Sequence, residues 1–248
     1  MNSTRLHKVT GALLIIATLG FNGFFTLLSM NFEYPAILRS PTSYVLTQYH
    51  AGGSNLTLQW YGMVFVSLLL IPGVVFLHRL LKDSDSATLS LATVFGVLAG
   101  VTNFLGFIRW VFVVPHLATR YVDPATSQAS KDAIEIVFEA FHLYAGFSIG
   151  EHLGYIFIGM WAVLTGMVML RSALFRPWLG WIGIIAGPLV IFGSIEGAGL
   201  AVAADVNVIG FAVWSLWLIA TGVSLLLTKP AASQPRSPAV SRVSATAG

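Results

Sequence analysis

Residues 153–170 read Leu-Gly-Tyr-Ile-Phe-Ile-Gly-Met-Trp-Ala-Val-Leu-Thr-Gly-Met-Val-Met-Leu, eighteen positions without a charged side chain. At about 1.5 Å per residue, such a run covers roughly 27 Å as a helix, close to the ~30 Å of a bilayer's hydrocarbon core. Lipid offers backbone N–H and C=O groups no partner, so only helices and closed barrels span it. The two-residue alternation of a barrel strand is absent here. The stretch therefore reads as a transmembrane helix, and similar runs recur along the chain.

Six segments qualify, at about 9–31, 58–78, 87–114, 134–170, 178–200 and 206–227. The expected fold is all-α, a polytopic six-transmembrane-helix bundle in one domain over residues 1–228. The Pro-, Ser- and Ala-rich residues 229–248 are expected to form a disordered cytoplasmic tail. Composition agrees: 56% of residues are hydrophobic and 9% charged, against about 25% charged in a soluble domain. Arg5 and Lys8 precede the first apolar run as they would in a signal peptide, but a run from Val9 to about Met30 is too long for one, so it is expected to be retained. Zero cysteines exclude disulfides and thiolate chemistry. The sequence pI of about 9.3 does not indicate nucleic acid, because the basic residues are spread over short loops instead of forming a patch.

Charge orients the bundle. With the N-terminus inside, nine of the thirteen Lys and Arg residues (Arg5, Lys8, Arg79, Lys82, Arg171, Arg176, Lys229, Arg236 and Arg242) fall on the cytoplasmic side. Arg39, Arg120 and Lys131 fall outside and Arg109 within the third span. Basic residues favour cytoplasmic loops, so both termini are expected in the cytoplasm. Asp83 and Asp85 are the acids on that side; the others lie at or beyond the outer ends of the spans. Tyr44, Tyr49, Trp60, Tyr61, Trp110 and Tyr121 would form an outer aromatic belt, with Trp178 and Trp181 in the inner one.

Residues 32–57 and 115–133 are expected to form long outer connections, the kind of loop that often serves as a lid or binding element. Pro72 and Pro188 are expected to kink their helices. Gly146, Gly150 and Gly154 recur every four residues, a spacing that lets helix backbones approach closely. They are the candidate face for a helix-mediated oligomer or a membrane partner.

Candidate chemistry gathers at the outer ends. Glu135, Glu139 and His142 lie on one stripe of a regular helix and could ligate a metal or relay protons. Glu139 and His142 have the Glu-x-x-His spacing of di-iron bundles, but no second such pair exists in the chain. Glu151 and His152 begin the continuous apolar run, where ionisable groups usually face the bundle interior or a cavity. On a regular helix Glu151 falls opposite His142, so the two would share a site only if the helix were distorted near its glycines. Arg109 is the expected cation for Glu151, Glu196 or Asp205. His116 and Arg120 could border the same region, His78 reads as a headgroup contact, and Asn22 and Asn103 as interhelical hydrogen-bond formers. Phosphate-binding glycine loops, a His-Glu-x-x-His pair and a mid-span lysine are all absent, and no cofactor is assigned.

The tracts Arg109-Trp-Val-Phe-Val-Val-Pro115, Phe138-Glu-Ala-Phe-His142-Leu-Tyr-Ala-Gly146, Gly150-Glu-His-Leu-Gly154 and Phe175-Arg-Pro-Trp-Leu-Gly-Trp-Ile-Gly183 resemble a family of bacterial six-span membrane proteins classed as a domain of unknown function. The resemblance covers essentially residues 5–228. It implies a single domain in a bacterial cytoplasmic membrane and transfers no catalytic role.

These readings converge on a polar pocket at the extracytoplasmic face, lined by Arg109, Glu139, His142, Glu151, His152 and Glu196. It would bind a small molecule, a lipid headgroup or a metal. The alternatives are a membrane enzyme using His142 or His152 as general base, a proton-coupled transporter using Glu151 and Glu196, and a structural partner of another membrane protein. The inner halves of the spans are nearly free of ionisable groups, which counts against a proton path.

Overall fold

In the computed structural model, which describes residues 2–82, 86–200 and 202–228, the chain is helical almost throughout. Helix α1 runs Ser3–Phe32, α2 Thr42–Leu81, α3 Ser86–Val122 and α4 Gln128–Phe141. A π-helical segment, His142–Leu153, joins α4 to α5, Gly154–Arg171. Helix α6 covers Pro177–Phe192, continues as a 3₁₀ turn over Gly193–Ala198, and is followed by α7, Val202–Leu227. Six of these stretches are long and apolar enough to cross a membrane, with α4, the π segment and α5 counting as one. The tail from residue 229 and the charges at Asp83, Asp85, Lys229, Arg236 and Arg242 lie outside the described residues.

Each helix packs on its predecessor and α7 returns to α1, so the contacts run α1–α2–α3–α5–α6–α7–α1 and close a ring. Short connections make successive helices antiparallel. Arg5, Lys8, Arg79, Lys82, Arg171 and Arg176 thus share one end of the bundle, and the 33–41 and 123–127 connections share the other. Close approach is set by glycines. A Cβ on Gly166 would lie 2.5 Å from the Gly180 carbonyl, and one on Gly187 2.5 Å from that of Gly159, which locks α5 against α6. Small residues at such crossings let the backbones come together where lipid supplies no hydrophobic drive.

The long connections expected at 32–57 and 115–133 are mostly helix. Val45, Leu46 and Tyr49 are buried along the first turns of α2, and Leu117 and Ala118 along the last turns of α3. Those apolar contacts extend the helices past the hydrophobic runs, and only residues 33–41 and 123–127 remain as links. The break in α2 falls at Gly53, whose φ of 56° suits glycine. Pro72 and Pro188 lie inside helices.

The core has two parts. One, toward the basic end, is drawn from α1, α2, α3, α5, α6 and α7 around Trp161 and Trp217. The other, at the opposite end, is built from α1 to α4 and the 33–41 link, and takes nothing from α6 or α7. Trp60, Trp110 and Tyr49, expected in an interfacial belt, are its centre. The two indoles stack 4.9 Å apart at 8° and Tyr49 stacks on Trp110 at 5.9 Å. Their helices turn these rings toward one another, so burial outweighs anchoring. Trp178 and Trp181 remain exposed. With α6 and α7 absent from the second core, that end of the ring is left open to polar side chains.

Candidate functional site

The π segment decides which side chains meet. An α-helix turns about 100° per residue, so nine residues from His142 to Glu151 leave them on opposite sides. A helix with i→i+5 bonds turns roughly 80° per residue, and the same nine residues make about two whole turns. The Gly154 N–H accordingly reaches back to the Ile149 carbonyl. The helix is unwound over this segment, and His142 and Glu151 both face the 33–41 link. His142 Nε2 lies 2.8 Å from the Leu38 carbonyl, and Glu151 Oε2 3.8 Å from Arg39 Nη2.

Arg39 is the cation of the site. Its Nε and Nη2 donate to Glu196 Oε1 at 2.8 and 2.5 Å. Its guanidinium lies 5.4 Å from the centre of the Phe147 ring. Burial pulls the Arg39 pKa down, but the Glu196 hydrogen bond and the Glu151 and Glu196 charges outweigh it and hold the group above its usual value. Tyr34, on the same link, is half-buried and lies within electrostatic reach of Glu151, Arg109 and Arg39. Its hydroxyl is pushed well up, first by burial and then by the Glu151 carboxylate.

Arg109 does not fill the role expected of it. No carboxylate among the described residues lies within 4 Å of its guanidinium. It is 6% exposed, donates to its own helix at the Gly106 carbonyl, approaches His142 Nδ1 at 3.5 Å and lies 5.0 Å from the centre of the Trp110 ring. The reason is steric. The guanidinium sits over Gly146, where a Cβ would collide with it, and this slot directs it to His142 instead of to the acids. Because a carbonyl can only accept, His142 donates through Nε2 and has Nδ1 left to accept from Arg109. Both ring nitrogens are thus engaged, which removes His142 as a free base in this conformation.

The metal candidates do not converge. Glu135 accepts from the Tyr121 hydroxyl at 2.6 Å, Glu139 from Thr42 Oγ1 at 3.1 Å, and His142 is held as above. Among the described residues no three His, Asp or Glu side chains are grouped closely enough to hold a metal ion. Glu139 is exposed and stands apart from Arg39 and its acids. Asp205, His116 and Arg120 are also exposed and line no part of the cleft described below. His78 hydrogen-bonds Thr93 on α3 at 2.7 Å, so it joins two helices. Asn22 reaches Ser215 Oγ at 3.1 Å, an interhelical bond as expected.

The glycine repeat is occupied within the chain. Gly146 receives Arg109, a Cβ on Gly150 would lie 3.1 Å from the Gly106 Cα, and one on Gly154 would lie 3.2 Å from Asn103 Oδ1. The helix these glycines dock is α3 of the same chain.

Beside the Arg39 cluster lies a cleft of about 370 Å³ between the π segment and the 3₁₀ turn after α6. Leu143, Phe147, Ser148, Glu151 and His152 line one wall; Gly193, Ser194, Glu196 and Gly197 line the other. His152 Nδ1 is 3.0 Å from the Ser194 carbonyl, which ties the walls together. The volume falls in the 300–1,000 Å³ range of small-molecule sites. Of the six site residues expected from sequence, Glu151, His152 and Glu196 line this cleft, and Arg109 with His142 forms a buried pair that does not line it. Arg39 was missed, since it read as one loop charge among three. Its signal was the surplus of acids at this end, which leaves Glu151 and Glu196 few cations to choose from.

No curated protein and no solved structure matches the chain. Residues 9–222 match the family described as Domain of unknown function (DUF4386), and this integral membrane protein belongs to that family.

Proposed function

We propose that this protein binds a small polar ligand in the cleft between the π segment and the 3₁₀ turn. One observation carries the reading: a ligand-sized cavity of about 370 Å³ is lined by two carboxylates and an imidazole at the end of an otherwise apolar bundle. Ionisable groups at the margin of apolar spans are costly unless paired or hydrated and tend to mark function. Long π-helical stretches are rare and recur at functional sites. Here the stretch is what turns Glu151 toward Arg39. The cleft end is the extracytoplasmic one on this reading, because the described basic residues of the loops concentrate at the opposite end. The family resemblance implies, for its part, the cytoplasmic membrane of a bacterium as the host membrane.

Gly197 offers a clean way to close the cleft, since a Cβ there would meet nothing within 4 Å. Purified wild type and Gly197→Trp would be screened by thermal unfolding against soluble amines, carboxylates, zwitterions and sugars. A saturable rise in Tm for wild type that Gly197→Trp loses supports a ligand cleft. Equal responses of the two proteins throughout the panel would refute it.

A further inference from the structure

The lining of the cleft narrows the ligand class. The Ser194 carbonyl can only accept, so His152 donates to it through Nδ1 and a neutral ring carries its lone pair on Nε2. Both Arg39 bonds go to Glu196 Oε1, and Glu196 Oε2 has no hydrogen-bond partner among the described residues. Among the described residues, the Glu151 side chain has no hydrogen-bond partner and one ion contact, at 3.8 Å through Oε2. Among the described residues no Lys or Arg lines the cleft. Its polar wall therefore offers acceptors in excess: two carboxylates, each with a free oxygen, and one imidazole nitrogen. Their spacing is too wide for a bare metal ion among the described residues. The cavity is also far larger than an ion, since water occupies about 30 Å³ per molecule. Leu143, at 62% exposed, and Phe147 supply an apolar flank at the mouth.

We propose that the cleft recognises a primary ammonium group carried on a hydrocarbon stem. The ammonium's N–H donors would meet Glu151, Glu196 and His152 Nε2, and the stem would lie along Leu143 and Phe147. An anion would face two carboxylates without a lining cation, and a quaternary ammonium would leave the acceptors without donors. This inference rests on the ligand-cleft reading above and adds its chemistry. Two sources carry the group: a free alkylamine, and the ethanolamine headgroup of a phospholipid.

The test uses the full chain in detergent and in nanodiscs. Isothermal titration with hexylamine, hexanol and hexanoate addresses the free source. Native mass spectrometry with phosphatidylethanolamine and phosphatidylcholine of matched chains addresses the lipid. The expected result is saturable binding of hexylamine or preference for phosphatidylethanolamine, weakened at least tenfold in Glu151→Gln and abolished in Gly197→Trp. Gly197→Trp removes no member of the Arg39 cluster, and a Cβ there meets nothing within 4 Å, so it keeps the test open if Glu151→Gln fails to fold. Hexylamine alone identifies a soluble amine as the source, and phosphatidylethanolamine alone a lipid. If hexanol or hexanoate binds better and Gly197→Trp abolishes it, the cleft stands and the ammonium assignment falls. Displacement of hexylamine by millimolar Mn²⁺ or Ca²⁺ would overturn the assignment in favour of a metal. If none of the probes distinguishes wild type from Gly197→Trp, both the assignment and the ligand cleft fall.

Discussion

Gly146→Ala offers the sharpest test of the geometry behind the site. An alanine Cβ would enter the space held by the Arg109 guanidinium, contacting Nη2 and Cζ and lying 3.1 Å from Nη1. The guanidinium is the far end of a flexible chain, so the cost is not steric repulsion as such. It is the loss of contacts that the displaced group can remake nowhere else, because Arg109 is 6% exposed and its Nε is already without a partner. The Gly106 carbonyl bond is charge-assisted, and such bonds contribute about 1.5–3 kcal/mol. The 3.5 Å approach to His142 adds about 1 kcal/mol at that length. Removing a helical glycine returns roughly 0.5–1 kcal/mol. The net expectation is a destabilisation of about 2 kcal/mol, or a fall in Tm of about 4–8 °C for a chain of this size. Thermal unfolding of purified protein would measure it, with Gly197→Ala as the unhindered control. The same substitution made in an Arg109→Met background should lose most of its effect, because the group it displaces is gone. A Tm within 1 °C of wild type, or an undiminished fall beside Arg109→Met, would refute the slot.

Other substitutions separate core from site. Trp60→Ala removes a fully buried indole that stacks on Trp110 and should cost about 3–5 kcal/mol, read as a fall in Tm or failure to accumulate in the membrane. Arg39→Ala breaks the Glu196 and Glu151 contacts, but its side chain is 42% exposed; solvent screening limits the stability loss to about 0.5–1 kcal/mol, while ligand binding should suffer far more, and a larger loss of stability than of binding would recast the cluster as a structural latch. Glu139→Ala, at an exposed carboxylate that accepts from Thr42, should change stability by less than about 0.5 kcal/mol in thermal unfolding and leave binding intact. Because the chain has no cysteine, Ser148→Cys and Arg176→Cys report topology directly: a membrane-impermeant maleimide on intact cells should label the first and not the second, and the reverse pattern would invert the orientation.

The membrane fold was legible because length and hydropathy alone decide it. Six apolar runs in a chain with few charges have no soluble solution, and short links force neighbouring spans to be antiparallel. What sequence concealed was how far the helices extend. Thr42–Thr57 carries Ser, Thr, Gln and Gly among its apolar residues and reads as a loop, yet Val45, Leu46 and Tyr49 recur at helical spacing and are buried in one cluster with Phe32 and Trp110, on which the Tyr49 ring packs. That surface exists only once α1, α2 and α3 are assembled. The aromatic residues misled for the same reason. A tryptophan near the end of a span suits an interfacial belt and a tertiary core equally well, and only the rotation of its helix decides between them.

Rotation also explains the partial reading of the site. Residue types located the polar end correctly, since ionisable groups next to apolar runs need either water or one another. Grouping them required the angle per residue, and the regular α value placed Glu151 opposite His142. The π segment changes that angle by roughly 20° at each step, and nine steps turn an opposition into a shared face. The same unwinding opens the slot at Gly146 that takes Arg109 away from the acids, and this leaves Arg39, from a separate link, to meet them. The identity of the cation and the face of the carboxylate are thus one structural fact. A change that rewound residues 142–153 into a regular helix should dissolve the cluster without touching any of its members.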